Sequence, residues 1–200
     1  YLDTMEKLAD GARFKVVVFE LNANNHDQRR ALANAIAIQR FERDCRVPVV
    51  ISANALQVDG HNDNGWDQGL LFLNPEKTWL QPPGYVTRMI SSHYQPFSLP
   101  VETEGDGRSL DICAKRSEDG KTLVIQITNP GDTEETATLQ LRNFPPQQAA
   151  AEVEQLAGPL DAANTAAQPD AITPKRSTWN HGGTQSCTFP PHSFTVMTFR

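Results

Sequence analysis

Glu20 is the first residue whose setting suggests chemistry. It directly follows the apolar run KVVVF, which reads as a short strand buried on both faces, as in parallel sheets. In a parallel barrel, active sites are assembled at the C-terminal ends of the strands, where a carboxylate is held rigidly against a cleft. Position alone fits an ordinary strand-end acid equally well. The residues that follow, Leu21, Asn22, Ala23, Asn24, Asn25, His26 and Asp27, place amide, imidazole and carboxylate groups behind one strand. Such groups suit hydrogen bonds to sugar hydroxyls, with Asn22 and His26 as the binding candidates. Asn25 or Asp27 is expected to serve only as a helix cap.

A second cluster follows a second apolar run, VPVVISA, and should face the same way. It holds Ser52, Asn54, Gln57, Asp59, His61, Asn62, Asp63, Asn64, Trp66, Asp67 and Gln68. Asn54, Gln57, His61 and Trp66 are its binding candidates. An indole among amides can stack on the apolar face of a sugar, or it can fold down to cover the barrel edge. His61 lies between Asp59 and Asp63, but the spacing matches no standard ligand set and no EF-hand loop, so no metal is assigned. There is no Gly-x-Ser-x-Gly elbow and no phosphate-cradling glycine loop. Nothing in the sequence demands a cofactor.

The elements that would position these residues alternate in type. Tyr1 to Ala12 reads as a helix stopped by Gly11, and Phe14 to Phe19 as a strand. Gln28 to Arg43 reads as a helix, with Asn25 and Gln28 able to form a capping box and Leu32, Ala35, Ile36 and Gln39 on one face. Val47 to Ala53 is the second strand. A long polar loop with Gly60 and Gly65 follows, then a helix from about Pro82 to Tyr94 opened by prolines. This alternation signals a parallel α/β sheet, and two strands are too few to complete one.

From about Pro96 the period changes. Leu110 to Arg116 and Lys121 to Asn129 read as a hairpin around Asp119-Gly120. In it Leu123, Ile125 and Ile127 alternate with Val124, Gln126 and Thr128. Further strand candidates are Ala137 to Leu141, Ala151 to Leu156, Cys187 to Phe189 and Phe194 to Phe199. Gly158 to Gly183 is polar and proline-rich and reads as a long surface connection. The fold class expected is α/β plus all-β, with residues 1–95 as one part and residues 96–200 as an antiparallel sandwich.

The net charge of −6 and the absence of a Lys/Arg cluster argue against nucleic acid as the main partner. Arg29-Arg30 and Lys175-Arg176 read as solvated surface charge. No apolar run reaches the ~20 residues that span a bilayer. The acidic start, Tyr1 to Asp10, carries no signal-peptide core and reads as the middle of a helix, as if cut from a longer chain. Compartment stays open, either secreted or periplasmic, or cytoplasmic. Cys45, Cys113 and Cys187 are too far apart for a metal or disulfide framework and are expected to be free and buried.

The segment VVVFELNANNHDQRRALANAIAIQRFER resembles the seventh strand and following helix of family 51 glycoside hydrolases, the α-L-arabinofuranosidases. VPVVISANALQ and NGWDQGLLFLN look like the eighth strand and its loop, and PPGYVTRMISSHYQP looks like the last barrel helix. NTAAQPDAITP and FPPHSFTVMTF are similar to the family's C-terminal sandwich. The resemblance implies the last two βα units of a TIM (β/α)8 barrel over residues 1–95, followed by a jelly-roll-like sandwich. It also implies a retaining mechanism on terminal arabinofuranosyl groups of hemicellulose, with Glu20 as nucleophile and a second carboxyl as acid/base. In the family that acid/base Glu follows an Asn at the end of the fourth strand. No Asn-Glu occurs in this sequence, and Leu21 stands where the family often has an aromatic residue. A second chain or a further N-terminal segment is therefore expected to complete the barrel. A non-catalytic carbohydrate-binding or scaffold module, and a related β-glucanase or xylosidase activity, remain as alternatives.

Overall fold

The computed structural model describes residues 1–21, 25–61, 67–105, 109–180 and 186–200. In chain order the elements are α1 (Leu2–Leu8), β1 (Val17–Leu21), α2 (Gln28–Arg43), β2 (Val49–Ser52), β3 (Leu56–Val58), β4 (Leu71–Leu73), β5 (Thr78–Leu80), α3 (Pro82–Ser92), β6 (Phe97–Leu99), β7 (Asp111–Arg116), β8 (Leu123–Asn129), β9 (Glu135–Thr138), β10 (Ala150–Ala157), β11 (Lys175–Asn180), β12 (Ser186–Phe189) and β13 (Ser193–Phe199).

The expected parallel pair is present. β1 runs parallel to β2, with Val17 opposite Val49 and Val18 opposite Val50, and the register shifts before Leu21 meets Ser52. Burial on both faces does not follow. Val18 is half-buried, and Val50 packs against the helices, but Val17, Phe19, Val49 and Ile51 are exposed, Phe19 at 76%. Alternation explains this: a strand sends successive side chains to opposite faces, and here helices cover only one.

Helix α2 spans the residues its apolar stripe dictates. Its cap differs from the capping box expected. Asp27 is the N-cap and accepts a hydrogen bond from the Arg30 backbone amide at 3.0 Å, while Asn25 Nδ2 donates to the Asp27 carboxylate. Gln28 is instead the first helical residue, and its side-chain amide donates to the His192 carbonyl at 2.8 Å. Proline opens α3, where a missing N–H leaves nothing unpaired. Helix α1 is shorter than expected and buries no residue. Arg46 ties it to the turn before β2 through Asp3 at 2.6 Å and Asp44 at 2.7 Å.

The second half is built around a six-stranded sheet ordered β11-β10-β13-β8-β7-β6, all antiparallel. β8 and β13 lie at its centre and all seven residues of each are buried. Leu123, Ile125, Ile127, Met197 and Phe199 face a cluster shared with Phe189 and Cys187, beneath the β9–β12 pair. Val124, Phe194 and Val196 face the other way and form one cluster with Ala31, Leu32, Ala35 and Ile38 of α2 and with Val86, Met89 and Ile90 of α3. The helices are thus a shared layer between the parallel pair and the sheet. Gln39 reinforces the join, donating to the Gln126 carbonyl at 3.0 Å and accepting from Thr128 Oγ1 at 2.8 Å.

Three readings need correction. The loop after the second strand contains a small sheet, with β3 parallel to β4 and β4 antiparallel to β5. Its strands have three residues each, too few to show a period. The Gly158 to Gly183 connection is not wholly superficial, since it holds β11 and the buried Asn164 and Ile172. Cys113 and Cys187 are buried as expected, but Cys45 is exposed.

Candidate active site at the strand ends

Glu20 lies in the last turn of pleat of β1, and Asn54 follows β2 by two residues, so both stand at the C-terminal end of the parallel pair. Both are exposed. The two strand ends are stitched together: Ala53 N donates to the Leu21 carbonyl at 3.3 Å, and Ser52 Oγ donates to the same carbonyl at 3.3 Å. A cis peptide joins Ala53 to Asn54. The Asn54 carbonyl accepts from Leu70 N at 3.0 Å, which brings the start of β4 back to the strand end.

His26, Gln57 and His61 converge elsewhere on the same end, in a cleft of about 420 Å³. Asp59, Asp67, Phe72 and Gln81 complete one side, and Asn164 to Ala167 the other. Glu20 and Asn54 are not among its lining residues. His26 stacks at a tilt on Phe72, ring centres 4.8 Å apart. Its Nδ1 is 2.9 Å from Asp67 Oδ1, an ion-pair distance but out of line for a ring N–H to donate. Gln57 is committed to the loop itself. Its amide donates to Asp67 Oδ1 at 3.1 Å, and its oxygen accepts from Gln68 N at 3.2 Å and Gly69 N at 2.9 Å. A side chain at Gly69 would start 2.5 Å from Gln57 Cβ, so glycine is what permits this fold-back. Asn22 and Trp66 lie outside the described residues.

Arg30 was expected on the surface and is instead 2% exposed. Its guanidinium donates to the carbonyls of Asn25 (2.7 Å), Ala53 (2.8 Å) and Gln68, one from each segment that frames the strand ends. Burial lowers its pKa to about 10, opposed by the charges of Asp67 and Asp27. A cation inside this end of the molecule therefore holds three loops by their backbones. An arginine one turn into an amphipathic helix gives no sequence signal for this, because its three acceptors are distant carbonyls. Gln68 is also buried, and its side-chain oxygen has no partner among the described residues. Among those residues no group of three His, Cys, Asp or Glu side chains gathers into a metal site, and no helix is long and apolar enough to cross a membrane.

A parallel strand pair with a carboxylate near its C-terminal end is thus backed by helices, with an antiparallel sheet beyond them. The family model described as alpha-L-arabinofuranosidase C-terminal domain matches residues 18–193, and the chain belongs to that family, the C-terminal portion of family 51. Solved structures agree in fold. An arabinose-bound family 51 α-L-arabinofuranosidase superposes with a TM-score of 0.80 at 24% identity, covering 88% of this chain and 28% of that one. The enzyme from Thermotoga petrophila RKU-1 gives 0.81 at 19% identity, covering 100% and 47%. That from Xanthomonas axonopodis pv. citri gives 0.77 at 21% identity, covering 99% and 43%. The chain thus spans less than half the length of each. No curated protein matches the sequence.

Proposed function

We propose that this chain is the C-terminal part of a retaining glycosidase that releases terminal α-L-arabinofuranosyl residues from arabinoxylan or arabinan. Residues 1–95 would supply the last two βα units of a (β/α)8 barrel and residues 96–200 the sandwich behind it. The observation that carries the reading is Glu20, a carboxylate at the C-terminal end of a parallel pair whose other face is bare. The bare apolar strip of Val17, Phe19, Val49 and Ile51 is where further strands and their core would pack. The chain's partial coverage of its structural relatives supports the same view. A preceding segment or a second chain would then bring the missing strands and the acid/base carboxyl.

In this mechanism the Glu20 carboxylate attacks the anomeric carbon and forms a glycosyl ester. The bond from that carbon to the leaving oxygen breaks, and the partner acid protonates the oxygen. The same partner, now a base, takes a proton from water, which attacks the anomeric carbon and frees Glu20. The two carboxyls must then lie ~5–5.5 Å apart. The geometry around Glu20 suits this role, because the Leu21 carbonyl behind it is pinned by Ala53 and Ser52.

The test is Glu20→Gln in the full-length protein. Turnover of an aryl α-L-arabinofuranoside should fall by several orders of magnitude while substrate binding survives. Unchanged turnover would remove Glu20 from the mechanism.

A further inference from the structure

Resting on that reading, we propose that the cleft between the strand-end loops and the Asn164–Ala167 segment is a chain-binding subsite. It would hold neutral sugar units on the leaving-group side of the scissile bond. The sheet half would then set substrate length and branching through one wall, Thr165 to Ala167.

The placement comes first. His26 lies between β1 and α2, and Gln57 lies in the strand that follows β2, so the cleft opens at the same end of the parallel pair as Glu20. It does not include Glu20, so it is a second compartment rather than the reacting centre. Its size fits a small oligosaccharide segment, as ligand pockets run from ~300 to 1,000 Å³.

Both walls are fixed before any ligand arrives. On one side Arg30 holds the carbonyl of Asn25, next to His26, and that of Gln68, next to Asp67. Gln57 then holds Asp67 and the backbone of Gln68 and Gly69. On the other side Asn164 is 2% exposed and fully engaged. Its side chain bonds to the Leu80 carbonyl and to both backbone groups of Ile172. Its backbone carbonyl accepts from Trp79 Nε1 at 3.2 Å and Gln81 Nε2 at 2.8 Å, and its amide donates to Gln81 Oε1. Lys77 Nζ reaches the Ala166 carbonyl at 2.8 Å. So a connection between two sheet strands is anchored on β5 and on Gln81, the residue that caps α3. Pre-set walls cost a ligand little ordering entropy.

The chemistry of the lining selects the ligand class. Asp59, His61, Asp67 and Thr165 offer acceptors and donors at the mouth, and the His26 ring, backed at a tilt by the buried Phe72, gives an apolar ring face. Carboxylates repel anions, and among the described residues the lining contains no Lys or Arg to receive one. Alternating hydroxyls over an apolar ring face match a neutral sugar unit.

Ala167→Trp fills the cleft from the sheet side without touching the bonds that fix either wall. The experiment uses the full-length protein with two substrates, an aryl α-L-arabinofuranoside and arabinotetraose. The substitution should raise KM for arabinotetraose about tenfold more than for the aryl glycoside, a difference of ~1.4 kcal/mol. In parallel, calorimetry of arabinotetraose on the Glu20→Gln protein should show a Kd raised about tenfold by Ala167→Trp. Equal effects on the two substrates with an unmoved Kd would overturn the proposal, as would a parent protein that does not bind arabinotetraose. A parent that binds it but hydrolyses neither substrate would refute the glycosidase reading, while a Kd shifted by Ala167→Trp would still support the cleft as a sugar site.

Discussion

The centre of the sheet and the parallel pair are both apolar strands, yet they end in opposite states. Every residue of β8 and β13 is buried, whereas no residue of β1 or β2 is fully so. The difference lies in what each has on its two faces. β8 and β13 have helices α2 and α3 on one side and the β9–β12 pair on the other. β1 and β2 have the helices alone. The centre of the sheet is therefore covered on both faces within this chain, on one of them by helices of the first half. The parallel pair carries the candidate nucleophile and leaves Val17, Phe19, Val49 and Ile51 exposed.

The largest effect should come from the sheet's centre. Phe194 is fully buried against both helices, and Phe194→Ala should cost ~3–5 kcal/mol, read from the urea midpoint. A loss below about 1 kcal/mol would mean that the helix layer is not docked as described. Next is the ion pair that ties α2 to β7. Lys115 Nζ lies 2.7 Å from Glu42 Oε1, with Lys115 2% exposed and Glu42 17%. Removing one partner of a buried pair strands the other, so Lys115→Ala should cost about 3 kcal/mol, at the low end because Glu42 keeps some water. Lys115→Ala combined with Glu42→Ala should recover part of that loss.

Phe19→Ser sharpens the contrast most directly. In this chain Phe19 is 76% exposed, and the change should lie within about 0.5 kcal/mol of neutral. In the full-length protein the same change should cost ~3 kcal/mol or more if strands pack on that face. Equal small effects in both would show that the face stays open. The smallest effect concerns thiols. At pH 8 a thiol reagent should modify Cys45 at once and spare Cys113, whose pKa burial pushes up to about 11. Between the ordinary value of 9.0 and about 11 the native state keeps a proton that the unfolded chain loses. Stability from this group should thus be complete below pH 9 and decline above it, and Cys113→Ala should flatten that part of the urea-midpoint profile.

Much of the fold was legible wherever a pattern ran long enough. The stripe of α2, the proline start of α3 and the Asp119-Gly120 hairpin of β7 and β8 all lie where period and turn chemistry put them. The small β3–β4–β5 sheet was not legible, because three residues make no period. The site was legible in part. His26, Gln57 and His61 come together, yet Glu20 and Asn54 stand outside their cleft. Gln57, a binding candidate by type, has its amide occupied by its own loop.

By itself, the sequence determined the longer helices and strands and that a carboxylate stands near the end of β1, because these follow from periodicity, caps and turns within a few residues. Only the tertiary structure decided what those segments face. The buried Arg30, the anchoring of Asn164 on β5 and the cap of α3, the helix layer shared by both halves and the bare side of the parallel pair all depend on groups many positions apart. Their partners are mostly backbone carbonyls or a neighbouring face, which every residue type can present, so residue identity alone could not announce them.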